Sequence, residues 1–200
     1  MKYIFVTGAP GSRWSSIPRL IKDSVDIDST DYTEDRTYSH AGTEIISGFH
    51  GGSYFDPGME FGQWFDRLSD RTPEQCEAEF DRPFSGQGIR IIRCHHFVYH
   101  IDFLRANWPD CPIVLVYRND RDCLDWWIKC GEFNITYPNY QFYRDLDTMS
   151  KHIALQNYCL LKYWTGNDIR DNHELCRILG ITPPKEFLDF IANDTHVRIA

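Results

Sequence analysis

The 200-residue chain has no Cys-x-x-Cys pair, no long apolar run and too little positive charge to balance its acids. Its seven cysteines (Cys76, Cys94, Cys111, Cys123, Cys130, Cys159 and Cys176) are odd in number and irregularly spaced. That fits neither a disulfide framework nor a zinc ribbon, so reduced thiols are expected. No stretch approaches the roughly 18 apolar residues of a membrane span, and Tyr3-Ile4-Phe5-Val6 after Met1-Lys2 is too brief for a secretory core, so the expectation is a soluble, cytoplasmic protein. Lys and Arg number 21 against 29 Asp and Glu, and the net charge of −8 repels nucleic acid and anionic membrane. Internal repeats, low-complexity tracts and dividing linkers are also missing, so residues 1–200 read as one domain.

What is present is apolar and aromatic. Hydrophobic residues make up 42% of the chain and aromatics 15%, which excludes wholesale disorder. Tyr3-Ile4-Phe5-Val6-Thr7 reads as a strand running into the turn Gly8-Ala9-Pro10-Gly11-Ser12-Arg13 and then a helix over 14–25. A second short strand is Ile89-Arg90-Ile91-Ile92-Arg93. Pro112-Ile113-Val114-Leu115-Val116-Tyr117 is the most apolar run and predicts a central parallel strand buried on both faces. Helices are expected over 59–68, 72–80, 97–108, 120–130, 143–164, 172–179 and 183–191, with Thr72 and Asn172 as N-caps and Gly180 as a left-handed stop. Asp120 and Asp122 read as caps of the helix they open. Strands alternating with helices imply an α/β fold with a parallel central sheet flanked by helices.

In such sheets ligands sit beyond the carboxyl ends of the strands. Three ends therefore matter: the turn through Gly11, Ser12 and Arg13, the stretch Arg93-Cys94-His95-His96, and Arg118-Asn119-Asp120-Arg121-Asp122. Glycine turns, histidine and arginine suit an anion site with proton-transfer chemistry. The first turn is not a Walker A loop, because Arg13 stands at its second Gly and Trp14 at its Lys, with only Ser15 matching. His96 and His100 are four apart and could share a helix face, but no third ligand is evident, so no metal is expected.

Together the three turns resemble the sulfotransferases that use 3′-phosphoadenosine 5′-phosphosulfate (PAPS). Pro10-Gly11-Ser12-Arg13 is similar to the second half of that family's phosphosulfate turn. Arg93-Cys94-His95 resembles its K-T-H element, and Val116-Tyr117-Arg118-Asn119-Asp120-Arg121-Asp122 matches the R-N-x-x-D stretch well. The LG that follows a helix near the C-terminus also looks similar. The resemblance implies a three-layer P-loop-like domain that moves a sulfuryl group from PAPS to a hydroxyl or amine of a small-molecule or glycan acceptor. Pro10, Gly11, Ser12 and Arg13 would hold the 5′-phosphosulfate and Arg118 the 3′-phosphate, with His95 as general base and Arg13 as a catalytic cation.

Two departures weigh against full activity. The family's turn lysine falls at Ala9, and the serine eight residues after the 3′-phosphate arginine falls at Trp126. Losing one preorganised charge at a transferring group costs about 10²- to 10³-fold in rate. A catalytically degenerate nucleotide-binding protein of the same fold is therefore an alternative, as is a nucleoside or nucleotide kinase-like protein. An ion pair of Arg118 with Asp120 or Asp122 is the structural alternative for that arginine. Trp14, Trp126 and Trp127 either stack on adenine or belong to the core. Tyr32, His40, Phe49, His50 and Tyr54, in the irregular stretch 26–57, are expected to wall the acceptor site.

Overall fold

All six residues of β1 (Tyr3–Gly8) are buried, as expected of a β-branched and aromatic segment covered on both faces. The computed structural model describes residues 1–31, 67–131, 145–187 and 190–200, with the backbone of three short strands between them: β2 (Thr37–Ser39), β3 (Ser47–Phe49) and β4 (Ser53–Tyr54). β1 lies at the middle of a sheet with the order β4-β5-β1-β6-β7. Its neighbours β5 (Arg90–Arg93) and β6 (Ile113–Tyr117) both run parallel to it. β4 joins β5 in parallel, but β7 (His196–Ile199) runs antiparallel to β6, so the sheet is mixed rather than wholly parallel. β2 and β3 form a separate antiparallel pair.

Alternation along β1 sorts the core. Tyr3 and Phe5 pack with α2 (Pro73–Asp81), the 3-10 turn His95–Tyr99, α3 (Ile101–Asn107) and Leu160 of α5 (Leu146–Leu161). Ile4 and Val6 pack with α1 (Ile17–Ile21), α6 (Asn172–Leu179) and Val197 of β7. Successive strand side chains point to opposite faces, so helices cover both sides of the sheet. A third cluster of Ala9, Cys123, Trp127, Met149 and Ile153 joins the first turn to α4 (Asp120–Lys129) and α5. Each fully buried large aliphatic side chain contributes about 1.5–3 kcal/mol, so these clusters fix the turn as firmly as the strands.

Several helix ends follow the local chemistry. Thr72 caps α2 in a reciprocal capping box with Gln75, Pro73 takes the first helical position, and Gly180 ends α6 at φ 67°. Others differ from expectation. Asn119, not Asp120 or Asp122, caps α4 by accepting from the Asp122 amide at 2.9 Å, and Asp171 rather than Asn172 caps α6. The helix expected over 14–25 is a 3-10 turn, Trp14–Ser16, followed by the five-residue α1. Pro18 lacks the N–H that a continuous helix would donate to the Trp14 carbonyl. The segment 97–108 is likewise divided, with non-helical backbone at His100 between the 3-10 turn and α3.

No helix occupies 183–191 among the described residues. Pro183 and Pro184 supply no amide donors, and the Ile191 amide donates to the Asn172 side chain instead. β7 was not expected at all. The helix expected over 59–68 lies outside the described residues apart from Arg67 and Leu68, the latter opening a 3-10 turn (Leu68–Asp70), and so do the side chains of Tyr32, His40, Phe49, His50 and Tyr54. All seven cysteines are free thiols, and among the described residues no helix is long and apolar enough to cross a membrane.

Candidate functional site

Because β5, β1 and β6 are adjacent and parallel, their carboxyl ends open on the same side of the sheet. Beyond β1 the chain reverses through Ala9-Pro10-Gly11-Ser12-Arg13, where the Ser12 amide donates to the Ala9 carbonyl at 3.0 Å. Gly11 has φ +78° and lies so close to α4 that a Cβ would overlap the Cys123 carbonyl, so only glycine fits. Arg13 has φ 67°, the one positive φ at a non-glycine residue among those described, a conformation costing on the order of 1–2 kcal/mol. Pro10 is buried. Ser12 is fully buried, and its hydroxyl has no hydrogen-bond partner among the described residues.

Arg118, one residue past β6, ties this turn to the next strand end. Its Nη1 donates to the Gly11 carbonyl at 3.4 Å and to the Asp122 carbonyl at 3.1 Å. Its Nη2 pairs with the carboxylate of Asp194, in the segment leading into β7, rather than with the side chain of Asp120 or Asp122. Arg13 Nη1 lies 3.5 Å from the other oxygen of the same carboxylate. Two guanidiniums from different strand ends thus share one anion. Burial alone would raise the Asp194 carboxyl, but the charges of Arg13 and Arg118 and the hydrogen bond from Arg118 outweigh it and hold the group below the ordinary aspartate range.

The two departures from the family pattern have visible consequences here. Ala9 is fully buried in the cluster with Cys123 and Trp127, a position that cannot send a lysine toward the crevice. Trp126 lays its ring 4.2 Å from the Arg13 guanidinium and 5.8 Å from that of Arg118. Trp14 and Trp127 are buried in the core clusters.

His95 follows β5 on the other flank of β1. Thr7 fixes that strand end by donating to the Cys94 carbonyl at 2.8 Å, and the Trp14 ring stands 6.3 Å from the imidazole of His95, linking it to the first turn. Around His95 lie its sequence neighbour His96 and two residues that local patterns did not reveal, His152 and Gln156. The Gln156 Nε2 is 2.9 Å from His95 Nδ1 and 2.9 Å from His152 Nε2, and the amide is fully buried. His152 and Gln156 are four apart on α5, a spacing that puts both on one helix face. That spacing is the only sequence signal for them. Burial, reinforced by the charge of His95, pushes His152 down to about 3, and burial does the same to His96, assisted by the neighbouring histidines. One potential ligand atom from each of His95, His96 and His152 lies within 4.8 Å of the others. His152, not His100, is the third imidazole beside His96.

No protein-family model matches this chain, and neither the curated proteins nor the solved structures contain a match. Chemically, the crevice offers two cations aimed at one anion beside a glycine turn, with a cluster of imidazoles one strand away.

Proposed function

We propose that the protein is a PAPS-dependent sulfotransferase with the P-loop-like three-layer arrangement of that family, acting on a hydroxyl or amine of a small-molecule or glycan acceptor. The observation that carries this reading is the Asp194 carboxylate shared by Arg13 and Arg118 beside the Gly11 turn: each guanidinium faces one of its oxygens, which supports an anion-binding role for both arginines. Gly11, Ser12 and Arg13, with Pro10 shaping the turn, hold the 5′-phosphosulfate, and the unpartnered Ser12 hydroxyl gains an acceptor there. Arg118 holds the 3′-phosphate. His95 takes the proton from the acceptor as its oxygen or nitrogen bonds to sulfur. The bond from sulfur to the 5′-phosphate oxygen breaks, and adenosine 3′,5′-bisphosphate leaves with the electron pair. This role needs the Gln156 amide turned so that its oxygen accepts from His95 Nδ1–H and the Nε2 lone pair faces the acceptor, an exchange of nearly isosteric ends. The reaction needs no metal, because fixed cations stabilise the leaving group.

The test is a thermal-shift comparison of adenosine 3′,5′-bisphosphate, ADP and ATP. Only the 3′-phosphorylated nucleotide stabilises the protein, and Arg118→Ala removes the effect; equal stabilisation by ADP counts against the assignment. Burial of Ala9 and the aromatic ring at Trp126 favour one second reading, a catalytically degenerate nucleotide-binding protein of the same fold. Tight binding of the bisphosphate without sulfuryl transfer across a broad acceptor panel selects it. A kinase-like role has little support, since Trp14 is buried where the lysine belongs.

A further inference from the structure

We propose that His95, His96 and His152 form a binding site for one divalent transition-metal ion of the zinc, cobalt and nickel class. The three rings come from two elements that face each other, the 3-10 turn after β5 and the middle of α5. Their centroids are 4.5 Å (His95 to His96), 5.2 Å (His96 to His152) and 5.6 Å (His95 to His152) apart.

Gln156 marks where the ion sits. The Gln156 Nε2 stands 2.9 Å from both rings, so with the amide in this orientation His95 Nδ1 and His152 Nε2 direct lone pairs at one atom. Two imidazole lone pairs converging on a single positively polarised centre is the arrangement a metal uses, with the amide hydrogens in its place. The Gln156 Oε1 is buried and has no hydrogen-bond partner among the described residues. An ion that takes the two lone pairs displaces the amide from them, and a water completes the fourth position.

The dimensions are compatible. Metal–nitrogen bonds of about 2.0–2.1 Å in a tetrahedron separate the ligand atoms by about 3.4 Å, so atoms now within 4.8 Å close by little more than about 1 Å. The ligand set decides the class of ion. Imidazoles without a carboxylate suit zinc, copper, nickel or cobalt, while magnesium and calcium require oxygen. The site does not depend on the nucleotide reading. If both hold, metal occupancy removes His95 from base duty and suppresses transfer while leaving nucleotide bound.

The experiment uses the full chain, produced without a histidine tag and stripped with a chelator, and titrates it with Co²⁺ while recording visible absorption. The expected result is one Co²⁺ per chain with the intense absorption of a tetrahedral centre, displaced by Zn²⁺. His152→Ala and His96→Ala each weaken binding by more than the about 10- to 100-fold that loss of an outer-shell partner costs, and Arg118→Ala leaves it intact. A wild-type titration showing only the weak bands of hydrated cobalt overturns the proposal without reference to any variant's folding, and so does full-strength binding by a folded His152→Ala protein. Neither outcome bears on the nucleotide thermal shift, which is read separately.

Discussion

The Trp126 ring lies 4.2 Å from the Arg13 guanidinium and is shared with two further cations, Lys129 Nζ at 5.6 Å and the Arg118 guanidinium at 5.8 Å. An aromatic face attracts each guanidinium by about 0.5–2 kcal/mol, depending on how far water is excluded. The ring therefore helps to fix where the positive charge of both arginines stands. Trp126→Ala is expected to weaken adenosine 3′,5′-bisphosphate binding by about 2- to 30-fold in isothermal calorimetry. Unchanged affinity would mean that the ring merely covers the arginines.

Asp194 competes with any anion for the same two guanidiniums, so a bound phosphate must displace its carboxylate. Asp194→Asn is expected to tighten bisphosphate binding by about tenfold, since a charge-assisted contact is worth about 1.5–3 kcal/mol and only part of it is recovered from water. The free protein should melt lower than wild type, because two cations lose their counter-ion. Weaker nucleotide binding by a folded Asn variant would make Asp194 a support for the arginines rather than a rival.

The same carboxylate gives the protein an acid-sensitive contribution. Its folded-state pKa lies below the ordinary aspartate value, despite burial, because Arg13 and Arg118 stand beside it. The unfolded chain therefore takes up the proton first as pH falls. The stabilisation is complete at neutral pH, starts to go as pH drops past the unfolded value of about 3.9, and is gone below the folded one. Urea melts of wild type and Asp194→Asn should differ at pH 7 and draw together as pH falls below about 3.9. A gap that widens with acid would reverse this sign.

If His95 is the base, replacing it should affect chemistry and not nucleotide affinity. His95→Gln is expected to lower kcat for sulfuryl transfer by about 10²- to 10⁴-fold while the bisphosphate thermal shift stays within error of wild type. Loss of the shift would assign His95 to the nucleotide site.

Much of the scaffold was legible because it is local. The apolar runs around Phe5 and Val114 are strands, Thr72 caps where a capping box predicts, and the glycine turn and Arg118 stand at strand ends because the alternation of strands and helices puts them there. The misses share a cause. Asp194 meets Arg118 across 76 positions, and Gln156 meets His95 across 61, so neither partner leaves a periodic trace near the residue it serves. β7 is four residues long, with Val197 turned into the core while His196 and Arg198 both hydrogen-bond to Asp168, and its pairing with β6 creates the antiparallel edge that alternation alone does not foretell. Pro18, which has no amide to donate to the Trp14 carbonyl, is the residue that keeps the first helix from running unbroken from residue 14.

The turn that carries the proposed anion site is held from below by α4, and this gives the sharpest stability prediction. Gly11 combines a left-handed backbone with a Cβ position that would overlap the Cys123 carbonyl, which belongs to the rigid backbone of α4. Gly11→Ala therefore meets two separate costs: the positive φ, about 1–2 kcal/mol, and a steric displacement of turn against helix, about 1–3 kcal/mol. At about 2–4 °C per kcal/mol for a chain of this size, the melting temperature should fall by roughly 5–15 °C. Gly180→Ala is the control. It pays a similar backbone cost at φ +67° but has nothing within 4 Å of the added Cβ, so it should lose the smaller share alone. Equal losses in the two variants, measured by differential scanning calorimetry, would show that α4 does not press on the turn.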